Sequence, residues 1–219
     1  MKKDSLHGMP ALLLCEGIDE KNFLIAYINY LLTIDPVFDN IEILNYGGIK
    51  DLNNYLKTIS QQDKFENVKA IAIIRDSETN WSAAVQSLEN SINNSGIDKN
   101  LFSEMPYYLF PMQDDDGNWQ DGTLEDLCLS ILKLDGNDAF VNENTIRLSQ
   151  LYIKNLEDMN SGIFPRRHKN LLHAYFSGTN NFVDKKIGEA ANAGAFNWQS
   201  ENLNRLFDFL LKLAQKANM

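Results

Sequence analysis

The sequence predicts an α/β protein: a mostly parallel sheet flanked by helices, followed by a helical carboxyl-terminal part. Three observations carry this. Short apolar runs alternate with helix-spaced apolar stripes through the first half, as in crossover units where each strand feeds a helix and then a parallel strand. Ala11–Cys15 is continuously apolar and Val68–Arg75 nearly so, which places the latter centrally in a sheet covered on both faces. After about residue 120 the strand signal fades and helical spacing takes over. We expect an α/β core over residues 1–112 and a mainly helical part over residues 113–219 packed on it.

The elements follow in order. Ala11–Cys15 is continuously apolar and bounded by Pro10 and Gly17, a buried strand. Asp19 can cap a helix reaching Leu32, with Phe23, Leu24, Tyr27, Ile28 and Leu31 on one stripe. Ile41–Asn45 is a second strand, ended by Gly47 and Gly48, and Leu52, Leu56 and Ile59 mark a second helix. Val68–Arg75 reads as a central strand. Trp81–Ile92 returns to helical spacing, and Tyr107–Pro111 gives a fourth strand. Thr123–Leu134, Asn144–Met159, Lys169–Phe176 and Leu203–Ala214 then read as helices. Gln113–Asp121 is a polar loop between the two parts.

Composition narrows the function. Twenty Lys and Arg against 30 Asp and Glu give a net charge of −10, which argues against a protein that coats nucleic acid through phosphate neutralisation. A bound metal can nevertheless reverse the local field in an acidic cleft. Cys15 and Cys128 are the only cysteines and belong to no CxxC pair, so neither a zinc site nor a disulfide framework is expected. No apolar run approaches the roughly 18 residues of a membrane span, and the expected location is cytoplasmic.

Three acidic stretches stand out. Glu16-Gly17 follows the first strand, Asp76 and Glu78 follow the third, and Glu125 opens a predicted helix. Ligands of open α/β sheets sit beyond the carboxyl ends of the strands, where Glu16 and Asp76 both fall. Carboxylate oxygens there suit a hard cation such as Mg²⁺ or Mn²⁺. If the third strand runs on, Asp76 and Glu78 share a face and can share a metal. The alternatives are ordinary: Asp76 and Glu78 capping a helix or facing water, Glu16-Gly17 a simple turn, Glu125 a favourable partner of its helix dipole. Arg166-Arg167-His168-Lys169 is the densest basic run; it can grip a nucleic-acid backbone or be a solvated helix start.

Taken together, Glu16-Gly17 after strand one, Gly47-Gly48 after strand two and Asp76 with Glu78 after strand three resemble the pattern of Toprim domains over roughly residues 10–112. Toprim domains are Rossmann-like and occur in topoisomerases, bacterial primases, recombination mediators and OLD-type nucleases. Gly122-Thr123-Leu124-Glu125, and Lys169 followed by Ala174 and Tyr175, resemble segments of small Toprim-like proteins related to the OLD nucleases. The resemblance implies a Mg²⁺- or Mn²⁺-dependent nuclease acting on DNA or RNA. In it Glu16, Asp76, Glu78 and Glu125 hold metal, Glu16 and Lys169 serve catalysis, and Arg166, Arg167 and Lys169 meet nucleic acid. Glu78 stands where the pattern's second acid is usually Asp. Two metals about 4 Å apart can activate a water and stabilise the leaving oxygen of a phosphodiester.

Two further readings accompany this one: a non-catalytic metal- or nucleic-acid-binding or partner module, working beside a separate ATPase, and a primase-like nucleotidyltransferase. No Walker loop, dinucleotide fingerprint or G-x-S-x-G elbow occurs. Asp114-Asp115-Asp116 lacks the spacing of a calcium loop, the three histidines fall at no ligand spacing, and the tryptophans read as packing anchors, Trp119 excepted as a candidate stacking residue.

Overall fold

A computed structural model describes residues 6–48, 52–110, 122–134, 139–160, 162 and 166–219. Four parallel strands, β1 (Ala11–Cys15), β2 (Ile41–Asn45), β3 (Ala70–Asp76) and β4 (Phe102–Phe110), lie in the order β2-β1-β3-β4. Helices α1 (Ile18–Leu32), α2 (Leu52–Ile59) and α3 (Trp81–Asn93) fill the crossovers. Then come α4 (Leu124–Ser130), α5 (Ala139–Met159), α6 (Arg167–Ser177), α7 (Ile187–Asn192) and α8 (Asn204–Ala217). The α/β class, the all-parallel sheet and the helical carboxyl-terminal part are as expected. Among the described residues no helix is long and apolar enough to cross a membrane.

Side-chain alternation divides the core in two. Leu13, Cys15, Ala72 and Ile74 face a layer built by α1, α4, α6, α7 and α8. Leu12, Leu14, Ile71 and Ile73 face α2 and α3. The continuous apolar runs are thus explained: every position along β1 is buried. Because α1 covers one face while α2 and α3 cover the other, the winding reverses between β1 and β3. Their carboxyl ends therefore flank the switch point, where an α/β sheet opens a crevice.

Several boundaries differ from expectation, each for a tertiary reason. The N-cap of α1 is Gly17, not Asp19. β3 starts at Ala70, because Val68 closes a 3-10 turn onto Phe65. β4 begins at Phe102 rather than Tyr107; its pairing jumps from Ile71–Phe102 to Ile73–Tyr107, so an irregularity absorbs Ser103–Pro106. Pro106 is tolerated because β4 is an edge strand. α4 stops at Ser130 since Leu132 leaves it to bridge Phe196, with Asn197 N–H donating to the Ile131 carbonyl at 2.7 Å. α5 begins five residues before its predicted start at Asn144. α7 was not signalled by the sequence. It packs on α1 through small residues, and a Cβ at Gly188 would lie 2.2 Å from the Asn22 Cβ.

A candidate acidic site at the switch point

Glu16 follows the last residue of β1 and Asp76 ends β3, two strands paired in parallel with Cys15 opposite Ile74. The two acids are consequently neighbours at one end of the sheet. Glu16 lies 3.8 Å from the Nε of Arg75, a buried arginine that also donates to the Asp76 carbonyl at 3.2 Å. Arg75 thus offsets the Glu16 charge from beneath.

The Glu16-Gly17 pair has a steric purpose. A Cβ on Gly17 would come within 2.5 Å of a Glu20 carboxylate oxygen. Glycine lets the Glu20 side chain fold back over the first turn of α1. Glu20 is the residue that sequence reasoning missed. Its pKa is raised, first by burial and then by the charges of Glu16, Asp19 and Glu125. The available signal was its place in the first helical turn directly after Glu16-Gly17.

Asp76 is pushed up to about 8, chiefly by burial and next by Glu20; the N–H of Leu124 opposes the rise, and Glu125 and Glu78 add to it. Its Oδ1 accepts that N–H at 2.7 Å. Asp76 therefore does cap a helix, though α4 rather than the α3 that follows it. Nearby, Glu78 N–H donates to the Gly122 carbonyl at 2.7 Å, and the Ser77 hydroxyl donates to the carbonyls of Phe110 and Gly122. These bonds sew residues 76–78 to residues 122–124 and deliver Glu125 beside Asp76.

Glu78 departs from expectation. The strand ends at Asp76, and Glu78 adopts a left-handed φ of 57° while bridging antiparallel to Gly122. It does not share a strand face with Asp76. Both nonetheless line an open cavity of about 390 Å³, together with Glu125, Asp126 and Arg166 to Lys169. Glu16 and Glu20 stand outside that lining.

The basic run enters from α6. Lys169 Nζ sits 3.1 Å from Glu125 Oε1, Arg167 Nε lies 2.9 Å from Glu157, and His168 Nδ1 pairs with Asp126. Burial alone would raise the Glu125 pKa, but hydrogen bonds from the Thr123 hydroxyl and Lys169 leave it lowered. Burial works against Lys169, yet Glu125 holds its pKa up. Arg166, with φ 56°, begins α6 at the cavity wall. Among the four predicted metal residues, Asp76, Glu78 and Glu125 line the cavity, Glu78 from its exposed rim, while Glu16 lies outside that lining beside Arg75.

Every candidate ligand is a carboxylate oxygen, Asp76 and Glu20 resist ionising together, and Asp19 Oδ1 is shut off from solvent without a hydrogen-bond partner. As they stand, no three His, Cys, Asp or Glu side chains among the described residues are gathered closely enough to hold an ion. Lys169 fills the role of cation beside Glu125. Cys128 lies fully buried nearby, its thiol pushed far up by burial and then by Glu125 and Asp76. Asp114 to Asp116 and Trp119 fall outside the described residues. Trp81 and Trp198 pack against the two cores.

Fold and site together define a doubly wound parallel α/β protein with an acidic crevice where its winding reverses. Residues 10–215 match the family described as "Protein of unknown function (DUF3226)", and the chain belongs to that family. No curated protein matches. Among solved structures, the C-terminal region of the Xanthomonas campestris pv. campestris OLD protein is similar in fold, with 14% identity and a TM-score of 0.51. The likeness covers 98% of this chain and 100% of that one.

Proposed function

We propose that the chain is a Mg²⁺- or Mn²⁺-dependent phosphodiesterase acting on nucleic acid, a nuclease of Toprim/OLD type. The observation that carries this reading is the meeting of Glu16 and Asp76 at neighbouring ends of β1 and β3, with Asp76 and Glu125 lining one cavity and burial pushing Asp76 up to about 8. A half-buried carboxylate is costly without a positive partner. Glu20, Asp76 and Glu125 would hold the ion, with Glu16 and Glu78 at the margin. A bound ion supplies an activated water and offsets phosphoryl charge. Lys169, paired with Glu125 at 3.1 Å, would supply a point charge for the phosphate. Arg166 and Arg167 stand at the cavity wall to meet the backbone.

The test is cleavage of single- and double-stranded DNA and RNA with Mg²⁺, Mn²⁺ or EDTA, beside Asp76→Asn and Glu20→Gln. Cleavage that needs metal and falls at least a hundredfold in both variants is expected. Cleavage indifferent to EDTA and to Asp76→Asn removes the assignment.

A second reading is favoured by one observation: Glu125 is held by Lys169 and Glu16 is close to Arg75, so cations of the chain already neutralise part of the cluster. In that reading the chain is a binding module that works beside another component such as a separate ATPase. Absence of Mn²⁺ binding at millimolar concentration by calorimetry, together with no cleavage, would select it.

A further inference from the structure

The cavity that Asp76 and Glu125 share with Arg166 to Lys169 has a basic neighbour. On α5, Arg147, Gln150, Leu151 and Lys154 line a second concavity of about 360 Å³, and Arg167 of α6 belongs to the walls of both. Arg147 and Lys154 are seven residues apart, two turns on one helix face and about 10 Å along the axis. Both are exposed, as are Gln150 and Leu151 between them, and Leu151 leaves about half of its surface in solvent. Glu143 and Asp158 are exposed one turn beyond the cations at either end and bound the track. On a chain of net charge −10 such a stretch runs against the overall balance.

We infer that this face of α5 is a phosphate track: it binds the backbone of the same nucleic-acid strand whose phosphodiester enters the acidic crevice, a few nucleotides away. The inference rests on the proposed function and adds Arg147 and Lys154 to it. Charge complementarity selects the occupant, since two cations at this spacing meet two phosphates of one backbone. Gln150 can reach a phosphate or sugar oxygen, and Leu151 gives the sugar or base an apolar seat. Arg167, tied to Glu157, marks where the strand passes from one concavity to the other. The sequence pattern hid this track because α5 reads as an ordinary exposed helix and its cations lie apart along the chain.

The experiment measures anisotropy of a labelled DNA strand, its RNA counterpart and the duplex, over a range of salt. It uses the full chain in EDTA, so that bound probe is not cut. Arg147→Ala with Lys154→Ala is compared with Lys57→Ala and Lys64→Ala, which remove the same charge from exposed positions elsewhere. The α5 pair should bind more weakly and lower the slope of log K against log salt by about 1.4, two phosphates at about 0.7 each for a single strand. The control pair should leave that slope in place. Thermal melts of all variants should coincide, because every substituted side chain is exposed. Binding with an unchanged slope in the α5 pair, or an equal loss in the control pair, overturns the track while leaving the proposed function standing. No binding of any probe by the unsubstituted chain, in EDTA or in Mg²⁺, overturns both.

Discussion

Replacing Asp76 by Asn should make the metal-free protein more stable at pH 8, although the site loses a predicted ligand. Asp76 is raised from the ordinary aspartate range near 3.9 to about 8. A carboxyl raised on folding keeps its proton in the native state after the unfolded chain has lost it. Its contribution to stability is complete below the unfolded value and is lost as pH rises through the folded value. Between pH 5 and pH 7 the loss is about 1.4 kcal/mol per pH unit, or about 3 kcal/mol across that window. Glu20, raised as well, adds a loss of the same sign. Glu125 is lowered and Lys169 raised, so their effects fall at more acid and more alkaline pH. Asn keeps an oxygen to accept from Leu124, and its unsatisfied amide donor costs about 1–3 kcal/mol at most. By pH 8 the removed penalty exceeds that cost. Denaturant unfolding in EDTA at pH 5, 6, 7 and 8 measures it. The wild-type curve should fall steeply and the Asp76→Asn curve much less, the two crossing below pH 8. Mn²⁺ at 100 times its dissociation constant should restore about 2.7 kcal/mol to the wild type and none to the variant. Parallel curves, or a variant less stable than wild type at pH 8, would refute the account of Asp76.

Other substitutions follow from single contacts. Gly17→Ala places a Cβ against the flexible end of Glu20, so the melting temperature should hardly change while Mn²⁺ affinity by calorimetry falls at least tenfold; unchanged affinity would deny Glu20 a place in the site. Gly188→Ala drives a Cβ into the Asn22 Cβ between α7 and α1, which should cost about 1–3 kcal/mol in urea unfolding as overpacking does, with a neutral result showing that the helices can part. Glu42, buried in β2, accepts the N–H groups of His7, Gly8 and Met9. Glu42→Ala should cost about 2–4 kcal/mol by leaving those donors unpaired, and should speed amide exchange before β1; protected amides there would contradict the latch.

How much of this was legible depends on which interaction sets each feature. β1 appeared at its true bounds because its apolar run is shut on both faces and ends at Glu16-Gly17, and β2 because Gly47-Gly48 closes it one residue on. β4 was half hidden: only its second half, from Tyr107, carries an apolar run, and Phe102 joins it through Ser103–Pro106, which the pairing with β3 skips. α7 was silent because Gly188, Ala190 and Ala191 carry packing through closeness rather than through apolar bulk. At the site, Glu16 and Asp76 could be placed at one sheet end from strand order alone. The position of Glu125 depends on the Glu78–Gly122 bridge, which no local periodicity encodes.

The same contrast explains Glu20 and Glu78. Sequence spacing gave Glu78 weight because a continuing strand would set it on the face of Asp76, but the left-handed turn at Glu78 spends that residue on holding Gly122. Glu20 drew no weight because acids in a first helical turn are common partners of the dipole. What distinguishes it is the missing Cβ at Gly17, a space that has meaning only once the carboxylate is seen to fold back across it. The short Glu-Gly signature is therefore not one ligand and a turn. It is one acid, a gap, and the room for a second acid to approach the first.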